Sequence, residues 1–396
     1  MEAVLASPVV DQVLGWCLRR LDELVDEVAR IAEIPAPTGA EARRAAYVAE
    51  RMRQCGLTGV ETDPVGNVLG RVLPPAGTGQ PRILLAAHLD TVFPEETPLE
   101  IRRDGDLLRG PGVGDNAAGL AGLLGAGRLL VELADRLRGE VILAATVGEE
   151  GLGNLRGMRA LMERYGDTVD YVLALDGTLG GMVRQAVGSR RLRLRVLAEG
   201  GHSWGAFGAP SAIHSLCRMV AAIADLSVPE NPKTTYNVGL IRGGTSVNTI
   251  APEAEAVLDL RSVDPGELDR LERRVRRSVA AVAARDGVRV EVELLGERPA
   301  GEVPESHPLC QVVRAVHRRL GIQTRVYPSS TDGNIPLSMG IPAVTIGVTV
   351  GANGHRVDEY IETRPLARGV AQVVLAVLAL QEVPLPPPGR RRSVAG

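Results

Sequence analysis

The spacing of apolar positions divides the chain into elements before any composition is counted. Val10, Leu14, Leu18, Leu21, Val25 and Val28 recur at three- and four-residue steps between acids and arginines. That pattern predicts one amphipathic helix ending near Ile34-Pro35. Thr38 and Glu41 have capping-box spacing for a second helix running to about Cys55. Short strands are expected at 60–62 and 67–72. Beyond the Pro/Gly loop 74–81 lies an unbroken apolar run, Ile83-Leu84-Leu85-Ala86-Ala87, as expected of a strand buried on both faces. Two more such runs, 141–147 and 171–175, follow a helix of small apolar residues at 117–133. Strands and helices alternating at these lengths predict a layered α/β domain.

Near Val187 the pattern changes. Leu192, Leu194 and Val196 alternate with arginines, as in a strand with one exposed face. A helix at 212–226, strands at 236–241 and 254–260, a helix at 265–285 and a strand at 288–294 complete the order β-α-β-β-α-β. That order is the split βαβ, or ferredoxin-like, sandwich, here inserted into the first domain. The α/β pattern resumes with a helix at 309–320, a strand at 342–349 and a helix at 365–380. The expected division is therefore 1–188 and 297–382 for the α/β domain, 189–296 for the insertion, and 383–396 for a Pro- and Arg-rich disordered tail.

Composition narrows the function classes. The chain has 396 residues, 45% of them apolar, and a formal net charge of −3, so nothing favours nucleic acid as a partner. No basic segment followed by an apolar one opens the chain, and no apolar run is long enough to span a bilayer, so neither secretion nor a membrane partner is expected. Cys17, Cys55, Cys217 and Cys310 are scattered, with no CxxC, and read as reduced thiols of a cytoplasmic protein.

The candidate chemistry sits where the apolar strands end. His88 and Asp90 share a face of the extended chain, an arrangement that suits a metal ligand and a carboxylate orienting its ring. Glu149-Glu150 follow the second run, Asp176 the third, and His355 the last. Asp115 lies in the glycine-rich turn Gly110-Pro111-Gly112-Val113-Gly114-Asp115-Asn116. Taken singly these residues have ordinary readings: Asp115 as a helix N-cap, Glu149-Glu150 as a solvated acidic turn, Asp176-Gly177 as a turn, His355 as an exposed loop histidine. Taken together they fall at the carboxyl ends of parallel strands, where open α/β sheets place their functional crevice. Two histidines and three carboxylates exceed a tetrahedral set of four, and suit two cations sharing a carboxylate and a hydroxide. The +4 of two divalent ions then matches −3 from Asp115, Glu150 and Asp176 and −1 from hydroxide. Imidazole with carboxylate favours two zinc ions, with cobalt or manganese as substitutes. Glu149 is left over as a general base. A nucleotide site is excluded, because Asp115 breaks the GxGxxG spacing and no Gly-Lys-Ser/Thr occurs.

His88-Leu89-Asp90-Thr91-Val92, Gly114-Asp115-Asn116-Ala117-Ala118-Gly119, Glu149-Glu150-Gly151 and Gly354-His355 resemble the motifs of the M20 dinuclear zinc hydrolases. That group comprises peptidase T-like tripeptidases, glutamate carboxypeptidases, acetylornithine deacetylase and succinyl-diaminopimelate desuccinylase. The resemblance spans nearly the whole chain. It implies that His88 and Asp176 bind one zinc, Glu150 and His355 the other, and that Asp115 bridges them. It further implies that Asp90 orients His88 and that Glu149 takes the proton of the bridging water. The insertion resembles the family's lid, through which such enzymes form homodimers. His202, in Gly201-His202-Ser203, matches the lid histidine that polarises the scissile carbonyl. Asn248 and Arg261 match substrate-contacting positions, and Ser330-Thr331-Asp332-Gly333 a loop lining the pocket. The implied activity is hydrolysis of an amide bond in small peptides or N-acyl amino acids. Asp at 176, and the absence of a Lys-Gly version of the Asp115 motif, favour an amino- or tripeptidase-like enzyme over a deacylase or carboxypeptidase.

Overall fold

A computed structural model describes residues 2–75 and 79–385. The chain divides into two compact units, one from Met1–Ala186 with Glu302–Gly396, the other Val187–Gly301. These limits lie two residues before and five residues after the expected 189 and 296, because the first strand of the insertion starts at Gly188 and the last continues to Arg298.

The first unit is built on a six-stranded sheet in the order Thr58–Thr62, Val68–Val72, Val141–Thr146, Ile83–His88, Tyr171–Leu175, Ala343–Ile346. The last four are mutually parallel, and Val68–Val72 runs antiparallel to both of its neighbours. Every residue of Ile83–His88, Val141–Thr146 and Tyr171–Leu175 is buried, which is why these strands read as continuous apolar runs. The small residues of helix Gly119–Glu132 serve close packing. A Cβ on Gly127 would lie 2.6 Å from Leu143 Cδ2, and one on Gly122 would lie 3.0 Å from Val348 Cγ1. The C-terminal helix Leu366–Leu380 is buried almost throughout. Register then aligns the functional edge. His88 pairs with Thr146, Ala86 with Ala174, and Leu175 with Ile346, so the strands finish level with one another.

Several local expectations are corrected. The single N-terminal helix is two, Val9–Arg19 and Leu21–Ala32. Arg20 leaves helical geometry at φ −110°, ψ 16°, and its guanidinium stacks 4.6 Å above the Trp16 ring. Thr38 and Glu41 form no capping box, because the helix starts at Ala42 and both side chains bond elsewhere. The strand expected at 342–349 is only Ala343–Ile346. A helix at Arg156–Tyr165 and a small antiparallel sheet (Gly351–Ala352, Tyr360–Glu362, Leu107–Arg109, Arg102–Asp104) had no clear sequence pattern. Val383 and Leu385 pack against the core, so the disordered tail does not begin at 383; residues 386–396 lie outside the described residues.

The second unit is a four-stranded antiparallel sheet in the order Thr234–Gly243, Glu253–Ser262, Gly188–Leu197, Arg289–Arg298. Its two helices, Ala212–Ala224 and Pro265–Asp286, complete the βαββαβ order. Leu192, Leu194, Val196, Leu258 and Leu260 join Leu216, Met219, Leu271 and Val275 in its core. The alternate residues Arg193 and Arg195 pair with Glu253, Glu255, Glu291 and Glu293. Among the described residues no helix is long and apolar enough to cross a membrane.

Candidate metal centre

The aligned strand ends bring His88, Asp115, Glu150, Asp176 and His355 together. Donor atoms of His88, Asp115 and Asp176 lie within 4.8 Å of one another, and so do those of Asp115, Glu150 and His355. Asp115 belongs to both sets. Its Oδ1 is 3.0 Å from His88 Nε2 and its Oδ2 3.1 Å from His355 Nε2. The same His355 nitrogen is 3.1 Å from Glu150 Oε1. His355 reaches inward from left-handed backbone (φ 66°), an uncommon conformation for a residue with a side chain and one concentrated at functional sites.

The donor atoms fit cations. His88 Nε2 and Asp115 Oδ1 are buried and face each other, yet neither completes a hydrogen bond. Burial opposes charge on His88, but the carboxylates of Asp115 and Asp90 overcome it and hold the imidazole pKa well above its usual value. Hydrogen bonding to Asp115, with Glu150 adding its charge, lifts His355 to about 9. Burial and the neighbouring Asp115 charge push Asp176 up to about 7, and raise Glu150 for the same reasons. Imidazole and carboxylate donors in this mixture suit a divalent metal cation, which such groups bind in their deprotonated form.

The Asp115 turn is held from behind. Gly112 adopts φ 71° and Asp115 is non-helical at φ −116°, ψ 88°. The N–H groups of Gly112, Gly114 and Asp115 donate to the Glu359 carboxylate at 2.8, 2.9 and 2.9 Å. Asn116 closes the turn, donating to Leu175 O and accepting from Gly119 N. A Cβ on Gly119 would strike both of those oxygens, at 2.0 Å from Asn116 Oδ1 and 2.5 Å from Leu175 O. Burial and the Asp115 charge raise Glu359 to about 7, against the pull of its N–H bonds.

The Asp90 carboxylate lies beside the His88 ring, as expected, and has a second task as well. His88 Nδ1 is 3.0 Å from the Asp90 backbone carbonyl and 3.6 Å from Oδ1, so the carbonyl is the nearer partner of the ring. The carboxylate also accepts the N–H groups of Glu149 and Glu150, each at 2.9 Å, and the Thr38 hydroxyl at 2.9 Å. Burial raises the Asp90 pKa, but His88 and the two N–H bonds outweigh it and leave the group at about 2. Glu41 Oε1 accepts Gly148 N at 3.1 Å and pairs with Arg156 at 2.6 Å. Arg44, fully buried, donates to Ile34 O and Leu89 O; burial lowers it to about 10 despite the Asp90 charge. Glu149 is buried, with a carboxylate oxygen inside the same 4.8 Å set as His88 and Glu150. Arg44 and Glu359 match no local pattern because each acts through backbone groups of other segments, and the partners of Thr38 and Glu41 are likewise distant in sequence.

Thr331 and His317 both turn inward. Thr331 is buried, its hydroxyl 2.7 Å from Thr345 Oγ1 and accepting Gly333 N at 3.1 Å, so it is spent internally rather than offered to a substrate. His317, read as structural, is so: its ring bridges Thr324 Oγ1 and Gln372 Oε1, both at 2.8 Å.

In the second unit, the short ladder of Gly201–His202 with Thr249–Ile250 sets His202 beside Asn248. Ser203 N donates to Asn248 O at 2.9 Å. His202 is exposed, and its Nδ1 accepts the N–H groups of Trp204 and Gly205 at 3.3 and 3.4 Å, which assigns the ring proton to Nε2. Asn248 is exposed and accepts the Ser246 hydroxyl. Arg261 is paired with Asp259 at 2.6 Å.

Comparison with known proteins is consistent with this arrangement. The sequence profile of Peptidase family M20/M25/M40 matches residues 84–379. The chain is 28% identical over 343 residues to an acetylornithine deacetylase of Erwinia tasmaniensis, covering 81% of this chain and 87% of that protein. Its fold is similar to that of a tripeptidase from Staphylococcus aureus, with TM-score 0.79, 23% identity, and 92% and 99% of the two chains covered. It is also similar to that of a Bacillus subtilis protein described as a dinuclear metal-binding M20 peptidase, with TM-score 0.69, 17% identity and coverage of 92% and 99%.

Proposed function

Because the chain belongs to peptidase family M20/M25/M40, and is thereby a metal-dependent hydrolase of peptide or acyl-amide bonds, we propose that it is an amino- or tripeptidase-like enzyme holding two zinc ions. The observation that carries the reading is Asp115, its two oxygens divided between His88 and His355. In this assignment His88 and Asp176 hold one ion, Glu150 and His355 the other, and Asp115 both. Bound there, the ions supply Lewis acidity to the scissile carbonyl and lower the pKa of a water to about 7.

Glu149 is the general base in this proposal. Its carboxylate takes a proton from the attacking water and passes it to the departing amine. The grip of Asp90 on the Glu149 and Glu150 N–H groups holds base and ligand at a fixed separation. His202, with its proton on Nε2, has the form of a donor to the tetrahedral oxyanion. Asn248 and Arg261 are assigned to substrate contacts. The edge strand Thr234–Gly243 exposes Leu240 and Ile241, and a homodimer joined there is part of the proposal. The four free cysteines suit a cytoplasmic setting.

Glu149→Ala is expected to lower turnover by roughly 10²–10⁴-fold, the range for a general base, with both ions retained. Metal loss on that substitution would make Glu149 a ligand instead. A second reading, deacylation of N-acyl amino acids, draws on the likeness to acetylornithine deacetylase. A panel of free tripeptides, N-acetyl and N-succinyl amino acids and C-terminal glutamates separates the two. Cleavage of blocked substrates alone selects the deacylase.

A further inference from the structure

We propose that Glu359 is a positioning residue, fixing Asp115 between its two histidines by gripping the backbone of the turn that carries it. The inference rests on the reading of Asp115 as the shared ligand. It begins from a buried carboxylate that pairs with no cationic side chain among the described residues. Glu359 is 2% exposed, and its oxygens receive three N–H groups from Gly112, Gly114 and Asp115. Its own backbone carbonyl takes a fourth, from Gly110 at 2.9 Å. One residue thus collects N–H groups from most of the turn Gly110–Asp115.

The turn needs such an anchor. With glycine at 110, 112 and 114 it has little conformational preference of its own. Asp115 lies outside helical geometry, so its N–H has no helical partner and goes to Glu359 instead. The fit is tight enough to exclude a side chain, since a Cβ on Gly114 would lie 2.6 Å from Glu359 Oε1. Three converging N–H dipoles call for an anion, and a neutral amide of the same size meets one of them with its own N–H. Glu359 also follows His355 by four residues. The segment that supplies a partner for Asp115 Oδ2 therefore also anchors the backbone of Asp115. A bridging carboxylate must satisfy two ions at once, so small rotations of its turn weaken both bonds.

The test uses the full chain, stripped with chelator and titrated with zinc, then with cobalt(II) for spectroscopy. Wild type is expected to take two ions, with the cobalt pair exchange-coupled through Asp115 in electron paramagnetic resonance. Glu359→Gln is expected to weaken the second ion by about 10–100-fold, the usual cost of losing an outer partner of a ligand. It is also expected to diminish the coupling, a change that a loss of global stability does not produce. Gly114→Ala keeps the carboxylate but pushes it from the turn, and should act in the same direction; it serves if Glu359→Gln does not fold. Folded variants with wild-type affinity for both ions and unchanged coupling overturn the proposal. Failure of the wild type to take two ions is a separate result, removing the shared-ligand reading itself.

Discussion

Replacing Asp90 with asparagine separates two roles that a carboxylate beside a ligand histidine can play. The change is nearly isosteric and leaves the backbone carbonyl of residue 90, at 3.0 Å from His88 Nδ1, in place. What it removes is one acceptor oxygen and the charge. Oδ2 accepts two donors, Glu150 N and Thr38 Oγ1, while Oδ1 accepts Glu149 N and lies at the longer distance of 3.6 Å from His88 Nδ1. The least costly amide orientation therefore keeps oxygen at Oδ2 and turns the NH2 group toward the Glu149 N–H. One charge-assisted bond worth about 1.5–3 kcal/mol is lost, and a buried N–H is left without an acceptor at a further cost of about 1–3 kcal/mol. Local relaxation recovers part of this, so a net loss of roughly 2–4 kcal/mol is expected. For a domain of this size that is a fall in Tm of roughly 5–10 °C, read by calorimetry. Because the displaced residue is the proposed base, kcat should fall by about 10–100-fold, consistent with a shift worth 1.4–2.7 kcal/mol in the barrier. Metal content, measured by mass spectrometry of the purified protein, should stay at the wild-type level. An Asp90→Asn enzyme that loses an ion, or that keeps wild-type Tm and kcat, refutes the assignment of this carboxylate to the Glu149 turn.

Two other outcomes are expected. Chelation should lower Tm and zinc should restore it, with magnesium ineffective because the donors include imidazole; a site held at 100 times its Kd gains about 2.7 kcal/mol. Equal Tm with and without chelator would contradict a metal centre. His317 offers a pH test away from the site. Burial lowers its pKa below the 6.5 of the unfolded chain. The unfolded state therefore binds the extra proton, so stability is full above about pH 6.5 and declines below it toward the folded pKa. Replacing His317 with Gln should flatten the decline in urea-unfolding free energy as the pH falls below about 6.5; an unchanged slope would assign the decline to other groups.

Sequence periodicity by itself determined which segments are strands buried on both faces, since Ile83–His88, Val141–Thr146 and Tyr171–Leu175 admit no polar face. It determined the βαββαβ order of the insertion, because alternation at Leu192, Leu194 and Val196 reports one buried side. It also brought His88, Asp115, Glu150, Asp176 and His355 into view, as ligand-type residues placed at strand ends or in a glycine turn. Which acceptor each polar group would meet was beyond it. Thr38 and Glu41 looked like a cap, yet they bond Asp90 and Gly148 across the fold. Thr331 looked like a pocket residue, yet Thr345 occupies its hydroxyl. Glu359 matched no pattern, although it holds the Asp115 turn from 244 residues away. Hydrophobic spacing is a local quantity, repeated along the chain and readable from neighbours. A hydrogen-bond partner is a single contact, set by sheet register and loop path, and it exists only once distant segments have been packed together.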